Sequence, residues 1–219
     1  MLPGLCYAPA AMNRHFDLIA RFYDRVIGVP DSDRLAGYLA LEPDLTLLDA
    51  GGGTGRVAEY LRPLCRRVVV SDLSLPMLEQ ARQKNGLLPL AAHVERLPFA
   101  DGTFERIVVV DALHHFCNRE EALADLTRVL APGGIMVIEE PDITRIAVKL
   151  LALAENLALM GSRFLRGEKI AAILEKRGLT ARIERNGHVM WIIGRKENSM
   201  REEDGAEGTG RPGSEEEAE

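Results

Sequence analysis

Cysteine is scarce in this chain, and the three present, Cys6, Cys65 and Cys117, are odd in number and far apart. Such spacing offers neither a disulfide framework nor a CxxC metal or redox pair, so a reducing cytoplasm is the expected setting. Long apolar runs are missing too: no stretch of about twenty uncharged apolar residues occurs, and the N-terminus has no basic segment followed by an apolar core. On that reading the protein is neither secreted nor membrane-spanning. Clustered positive charge is the third absence. Residues 197–219 hold nine Asp/Glu against two Arg, a net −7, which leaves +1 on residues 1–196 out of the chain's −6. A nearly neutral body lacks the one-sided Lys/Arg face that nucleic acid requires, and polyanionic substrates are disfavoured. Residues 197–219 are rich in Glu and Gly, with Ser and Arg among them, and have no apolar periodicity. They bury too little to offset ordering entropy and are expected to form a disordered acidic tail. The rest, 1–196, is the length of one domain, so one site is sought.

What is present is alternation. Apolar runs at 45–50, 67–72, 88–94, 104–111 and 135–140 have the length and composition of buried strands. Between them lie helical patterns at 57–64, 76–85 and 119–130, the last with apolar residues at 122, 123, 126, 129 and 130. Pro132-Gly133-Gly134 breaks that helix and starts the next strand. Further helical stretches follow at 143–160 and 167–177, then strands at 179–185 and 188–194 separated by Asn186-Gly187, a tight-turn signal. This is the pattern of an α/β protein, a doubly wound, mostly parallel sheet ending in an antiparallel hairpin.

The strand at 45–50 runs into Asp49-Ala50-Gly51-Gly52-Gly53-Thr54-Gly55, and a helix follows directly. Glycines let the backbone turn sharply and approach a ligand with no Cβ in the way, and in an open α/β sheet ligands bind beyond the carboxyl ends of strands. A dinucleotide fingerprint counted from Gly51 needs glycine at 56, where Arg56 stands. A methyl donor carrying a sulfonium and an ammonium makes better use of the acid, Asp49, at the strand end. Asp72 closes the next strand, placed to accept from both hydroxyls of a ribose.

Together these residues resemble the class I S-adenosylmethionine-dependent methyltransferases, over roughly residues 16–140. Asp49, Gly51, Gly53 and Gly55 meet that family's acid-x-Gly-x-Gly-x-Gly pattern, with Gly52 inside the loop. Its ribose-binding acid falls on Asp72, followed by Leu73-Ser74-x-x-Met77-Leu78, which puts Met77 near the adenine. The segment 94–105 is similar to the family's adenine loop and the start of its fourth strand, and 128–134 to the entry into its fifth. The resemblance implies a seven-stranded Rossmann-like sheet and S-adenosylmethionine as cofactor. The implied cofactor set is Tyr23, Asp49, Gly51, Gly52, Gly53, Gly55, Asp72, Leu73, Met77, His93, Val94, Glu95, Asp111 and Ala112. His93 stands where the family usually has an Asp able to accept from the adenine amino group. A neutral imidazole also accepts through one nitrogen; the alternative is that His93 ends its strand facing elsewhere. Stretches 16–24 and 129–141 are most similar to the ubiquinone/menaquinone-biosynthesis C-methyltransferases, without assigning a quinone acceptor.

Methyl transfer is an in-line displacement at an activated carbon, so positioning supplies much of the catalysis and no metal is required. Where the acceptor needs a base, the candidates are His114 and His115, just past the fourth strand, one of which is expected to face inward. Residues 16–24 are similar to the helix that covers the cofactor in many family members, with Tyr23 as the lid residue. On a helix over 143–160, Arg145, Lys149 and Asn156 fall on one narrow stripe, and almost all else except Glu155 is apolar. Core packing, a dimer contact, the roof of a pocket for a lipophilic small-molecule acceptor, or a peripheral membrane contact would each cover it. The oligomeric state stays open. Two alternatives remain: a cofactor-binding regulatory protein without transfer activity, which the His93 departure favours, and a nucleotide-dependent oxidoreductase.

Overall fold

The computed structural model describes residues 31–145 and 164–198. The expected helix at 16–24 with Tyr23, nearly all of the 143–160 helix, and the acidic tail beyond Asn198 lie outside the described residues. The first described element is a helix that the sequence reading did not anticipate, α1 (Ser32–Leu39), whose N-terminus is capped by Asp31 accepting from the Arg34 N–H at 3.2 Å. It is followed by β1 (Thr46–Ala50), α2 (Arg56–Leu61), β2 (Arg67–Asp72), α3 (Leu75–Arg82), β3 (Leu87–Ala91) and β4 (Phe104–Val110). The order closes with α4 (Arg119–Val129), β5 (Leu130–Pro141), α5 (Gly167–Glu175), β6 (Leu179–Asn186) and β7 (Val189–Lys196).

These seven strands make one sheet in the order β3-β2-β1-β4-β5-β7-β6. The pairs from β3 through to β5 are parallel, and β7 runs antiparallel to both of its neighbours. The expected doubly wound α/β sheet with a closing hairpin is therefore present, with β7 inserted next to β5 and β6 left as the edge. Burial explains that order. Met190 to Ile193 of β7 are all buried, as an interior strand requires, whereas β6 beyond its buried first residue, Leu179, mixes exposed and half-buried residues. One boundary moved for a physical reason. Pro132-Gly133-Gly134 does not precede β5 but bulges within it, where the four residues between Leu130 and Ile135 oppose one on β4, Glu105.

Alternate strand residues feed two cores. Leu48, Ile107, Val109, Met136 and Ile138 point to the face covered by α4 and α5. Leu47, Val68, Val70, Val108 and Val137 point to the face covered by α1, α2 and α3. Ser74 accepts from the Met77 N–H at 3.3 Å to start α3, and Asn118 from the Glu121 N–H at 3.3 Å to start α4. Both helices thus begin at the carboxyl side of the sheet. The topological switch, where chain order reverses, lies between β1 and β4, and a crevice opens there.

One buried polar pair crosses from β5 to β7. The Trp191 indole N–H donates to Glu139 Oε2 at 2.7 Å, and burial pushes the Glu139 carboxyl up to about 7. Trp191→Phe keeps most of the ring but removes the donor. It is expected to lower the unfolding free energy by about 1–3 kcal/mol, and by more at pH 8, where the acceptor is ionised, than at pH 5.5. Urea denaturation at the two pH values checks this; equal losses would mean that the carboxyl does not change its ionisation state between them.

Candidate active site

The loop between β1 and α2 crosses the mouth of the crevice. Gly51 and Gly52 both donate to the Ser71 carbonyl, at 2.7 and 3.2 Å, which ties the loop to the end of β2. Gly51 has φ +74°, and a Cβ there would come within 2.6 Å of the Ala112 Cβ; a Cβ at Gly52 would stand 2.6 Å from Asp49 Oδ2. The backbone therefore folds directly over the Asp49 carboxylate, and only glycine permits it at these two positions. Gly53 continues the crevice wall. Gly55 stands behind it, against Leu87 and Ala81.

Asp49, at 1% exposure, ends β1 beneath that loop. Its carboxylate takes the Ala58 N–H, but its Oδ2 has no hydrogen-bond partner among the described residues, and neither has the neighbouring Ser71 Oγ. Burial pushes the Asp49 carboxyl up to about 7; the Arg56 cation opposes the shift and the Asp72 anion adds to it. Asp72 ends β2 and is fixed from two sides: Oδ2 accepts from the Gly53 N–H at 2.9 Å and Oδ1 from the Ser74 N–H at 2.8 Å. Across the crevice Asp111 follows β4 at φ +53°, held by its N–H to the Glu139 carbonyl at 3.0 Å, with its carboxylate 3.9 Å from Arg56.

These groups line one cleft that opens to solvent. Of the residues expected there, it brings together Asp49, Gly51, Gly52, Gly53, Asp72, Leu73 and Met77 on one side. Val94, Glu95, Asp111, Ala112 and His115 are on the other. His93 is not on the wall; its Nδ1 lies 3.6 Å from Glu95 Oε2, and Glu95 Oε1 accepts from the Asn118 N–H at 3.3 Å. Arg128 braces the loop that follows, donating to the Leu97 and Phe99 carbonyls at 3.1 and 2.7 Å and to Asp101 at 2.9 Å.

The adjacent histidines part company. His115 reaches the cleft, and burial, aided by the neighbouring His114, lowers its pKa to about 3, so its imidazole stays neutral around pH 7. His114 turns away into the protein at 4% exposure, with its Nδ1 2.6 Å from Glu140 Oε2. The sequence reading missed Arg56, Ser71, Ser74, Ala92, Phe116 and Cys117, all on the wall. Arg56 did carry a signal, as the residue that spoils the dinucleotide fingerprint. Ser71 and Ser74 flank Asp72, and Phe116 and Cys117 extend the turn that begins at His115.

A carboxyl whose folded pKa lies above its unfolded value, near 3.9, stabilises the fold less as pH rises between the two. Asp49→Asn is therefore expected to gain stability over the native protein through pH 4–7, with the gain level above pH 7. Thermal melts of the ligand-free proteins across that range check it, and a pH-independent difference would refute it. Glu139 titrates in the same window but is common to both proteins, so the difference isolates Asp49.

Comparison with known proteins agrees with this geometry. The sequence pattern of the family described as "Methyltransferase domain" matches residues 48–138. The chain is 33% identical over 165 residues to a demethylmenaquinone methyltransferase of Parafrankia sp. (strain EAN1pec), covering 63% of this chain and 65% of the relative. It is 36% identical over 115 residues to a ubiquinone/menaquinone biosynthesis C-methyltransferase of Bordetella parapertussis, covering 48% and 43%. The chain thus spans 65% and 43% of the length of these two curated relatives. The fold matches a SAM-dependent methyltransferase structure from Thermotoga maritima with a TM-score of 0.70 at 21% identity, covering 85% of this chain and 100% of the other. Residues 48–138 thus match the methyltransferase-domain family, and the sheet order and the loop over Asp49 are in keeping with that match.

Proposed function

We propose that this chain transfers a methyl group from S-adenosylmethionine to a small, uncharged, lipophilic acceptor. The observation that carries the reading is the Asp49 carboxylate, buried beneath glycine backbone with one oxygen lacking a partner. A buried carboxylate is costly unless something compensates its charge, and a ligand with cationic groups does so. The glycine cradle leaves room for that ligand where side chains would collide. The donor set fits the cofactor on both counts.

Bound there, the cofactor supplies a methyl group on positively charged sulfur, so transfer needs alignment rather than strong activation of the carbon. Asp72, oriented by Gly53 and Ser74, accepts from the ribose hydroxyls. Leu73, Met77 and Val94 enclose the adenine, with Glu95 held at its edge by Asn118. The backbone of Gly51, Gly52 and Gly53, with Asp111 and Ala112 opposite, receives the amino acid end. Tyr23, outside the described residues, belongs to the same proposal as the cover, and His93 takes no part in it. His115 faces the acceptor as a neutral imidazole able to take a hydrogen bond from it.

The acceptor class follows from the wall. Asp49, Asp72, Glu95 and Asp111 oppose an anion, with Arg56 the one cation among the described lining residues. Val110, Ala112 and Phe116 add apolar surface near His115. Demethylmenaquinone, named in one relative, is a ring compound of that lipophilic kind. No helix among the described residues is long and apolar enough to cross a membrane. A cytoplasmic setting, argued from the cysteine pattern, is part of the proposal.

Calorimetric titration tests it. S-adenosylmethionine is expected to bind saturably and NADH not at all. Asp72→Ala should weaken binding by about a hundredfold, the loss expected for two hydrogen bonds to a charged acceptor. Below pH 7 the cation must displace a proton from Asp49, so affinity should rise with pH from 5.5 to 7 by up to about tenfold per unit, and Asp49→Asn should flatten that rise. Binding of NADH alone would replace the proposal with a nucleotide-dependent oxidoreductase, and binding of neither ligand would remove it.

A further inference from the structure

Glu140 is a buried carboxylate that the reading above does not use. It sits at the end of β5 at 3% exposure, where its neighbour Glu139 already accepts the Asp111 N–H through the main chain. Both Glu140 oxygens are engaged with one short turn, Leu113–His115. Oε1 accepts from the Leu113 N–H at 2.9 Å, and Oε2 is 2.6 Å from His114 Nδ1. The turn closes on itself through the His115 N–H to the Ala112 carbonyl at 3.0 Å and the Phe116 N–H to the Leu113 carbonyl at 3.1 Å.

The His114 ring held by Glu140 is packed on its neighbours. Its centroid is 4.0 Å from that of His115, tilted by 48°, and 4.2 Å from that of Phe164, nearly parallel at 18°. A carboxylate accepts and does not donate, so the short contact requires the proton on Nδ1 of His114. That choice sets the ring's orientation, and the ring in turn is a surface against which His115 rests. A buried carboxylate needs compensation, and these two donors, at 2.9 and 2.6 Å, both belong to the turn that carries His115 to the cleft.

We propose that Glu140 is a positioning residue, which fixes the tautomer and orientation of His114 and through it presents His115 to the acceptor end of the cleft. The role rests on the methyl-transfer reading only in calling that end the acceptor's. The physical claim is a chain of three groups, Glu140 to His114 to His115, and it is independent of what binds.

Glu140→Gln separates positioning from simple bracing. The amide oxygen still accepts from Leu113, while its NH₂ faces His114 Nδ1 and demands a lone pair there, so the variant reverses the tautomer without opening a cavity. The test uses the full chain labelled with ¹⁵N-histidine, with three readouts: imidazole nitrogen shifts, the rate of His115 modification by diethyl pyrocarbonate followed by mass spectrometry, and S-adenosylmethionine affinity by calorimetry. His114 is expected to carry its proton on Nδ1 in the native protein and on Nε2 in the variant. The His115 modification rate should change by about fivefold or more, while cofactor affinity stays within about twofold. A reversed tautomer with an unchanged His115 rate would overturn the proposal and leave Glu140 as a brace of the turn, and an unreversed tautomer would overturn it at the first link. Should Glu140→Gln not fold, His114→Asn keeps a donor for Glu140 but removes the ring, and the same change at His115 is expected. Absence of cofactor binding in every protein, with His115 still responding, would sink the functional reading and leave the positioning role standing.

Discussion

The Asp49 carboxylate, sealed under the backbone of Gly51–Gly53, is the constraint around which this molecule is arranged. An acid taken out of water and given one backbone donor is held near its ionisation point by burial. Everything that keeps it there follows from position in the sheet. β1 is central, paired on both sides, with all five residues buried, so its terminal side chain has no solvent to escape to. The loop above carries no Cβ where the carboxylate lies. Arg56, at the start of α2, supplies counter-charge without supplying a hydrogen bond to Oδ2. The arrangement leaves one carboxylate oxygen without a donor and favours a cationic or hydrogen-bond-donating partner beside it.

The opposite side of the cleft is organised by the end of β5 in a comparable way. Glu139 and Glu140 are consecutive, so their side chains leave on opposite faces of the sheet. Glu139 reaches Trp191 on the face covered by α1, and Glu140 reaches His114 on the other. Between them the Glu139 carbonyl fixes Asp111 in its left-handed conformation. A non-glycine residue in that region carries some strain, and it recurs where surrounding contacts over-determine the backbone. Here those contacts come from a strand end buried on both faces, which ties the Asp111–Phe116 backbone to β5.

Much of this was legible in the sequence because buried parallel strands are written as continuous apolar runs. The stretches at 67–72 and 104–111 gave β2 and β4 to within a residue, and Asn186-Gly187 marked the hairpin. The spacing Asp49, Gly51, Gly53, Gly55 and then Asp72 located the cleft, since each of those residues has a local reason to be where it is. What escaped was either weakly patterned or nonlocal. α1 buries only Ser32, Leu35 and Leu39 of its eight residues, too sparse a stripe to stand out. The separate fates of His114 and His115 depend on Glu140, twenty-six positions from His114, and on Phe164, further still. Adjacent identical residues cannot be told apart by local pattern; the partner decides, and the partner is brought by strand pairing. Arg128 is a similar case, bridging to Leu97, Phe99 and Asp101 across about thirty residues.

The two walls differ in chemistry, and that difference bears on how one cleft would serve the two ligands of the proposed reaction. Around the glycine loop the polar groups are carboxylates, an environment that favours a cationic ligand and is weakened when the cation's charge is lost. Around His115 the imidazole is neutral and its neighbours Val110, Ala112 and Phe116 are apolar, so nothing there rewards charge. In the proposed reaction, transfer of a methyl group from sulfonium to a neutral acceptor removes the positive charge from sulfur, and the carboxylate side would then hold the product less strongly than the substrate. On the proposed reading, the asymmetry that favours a cationic donor beside Asp49 before reaction also weakens the hold on the product afterwards.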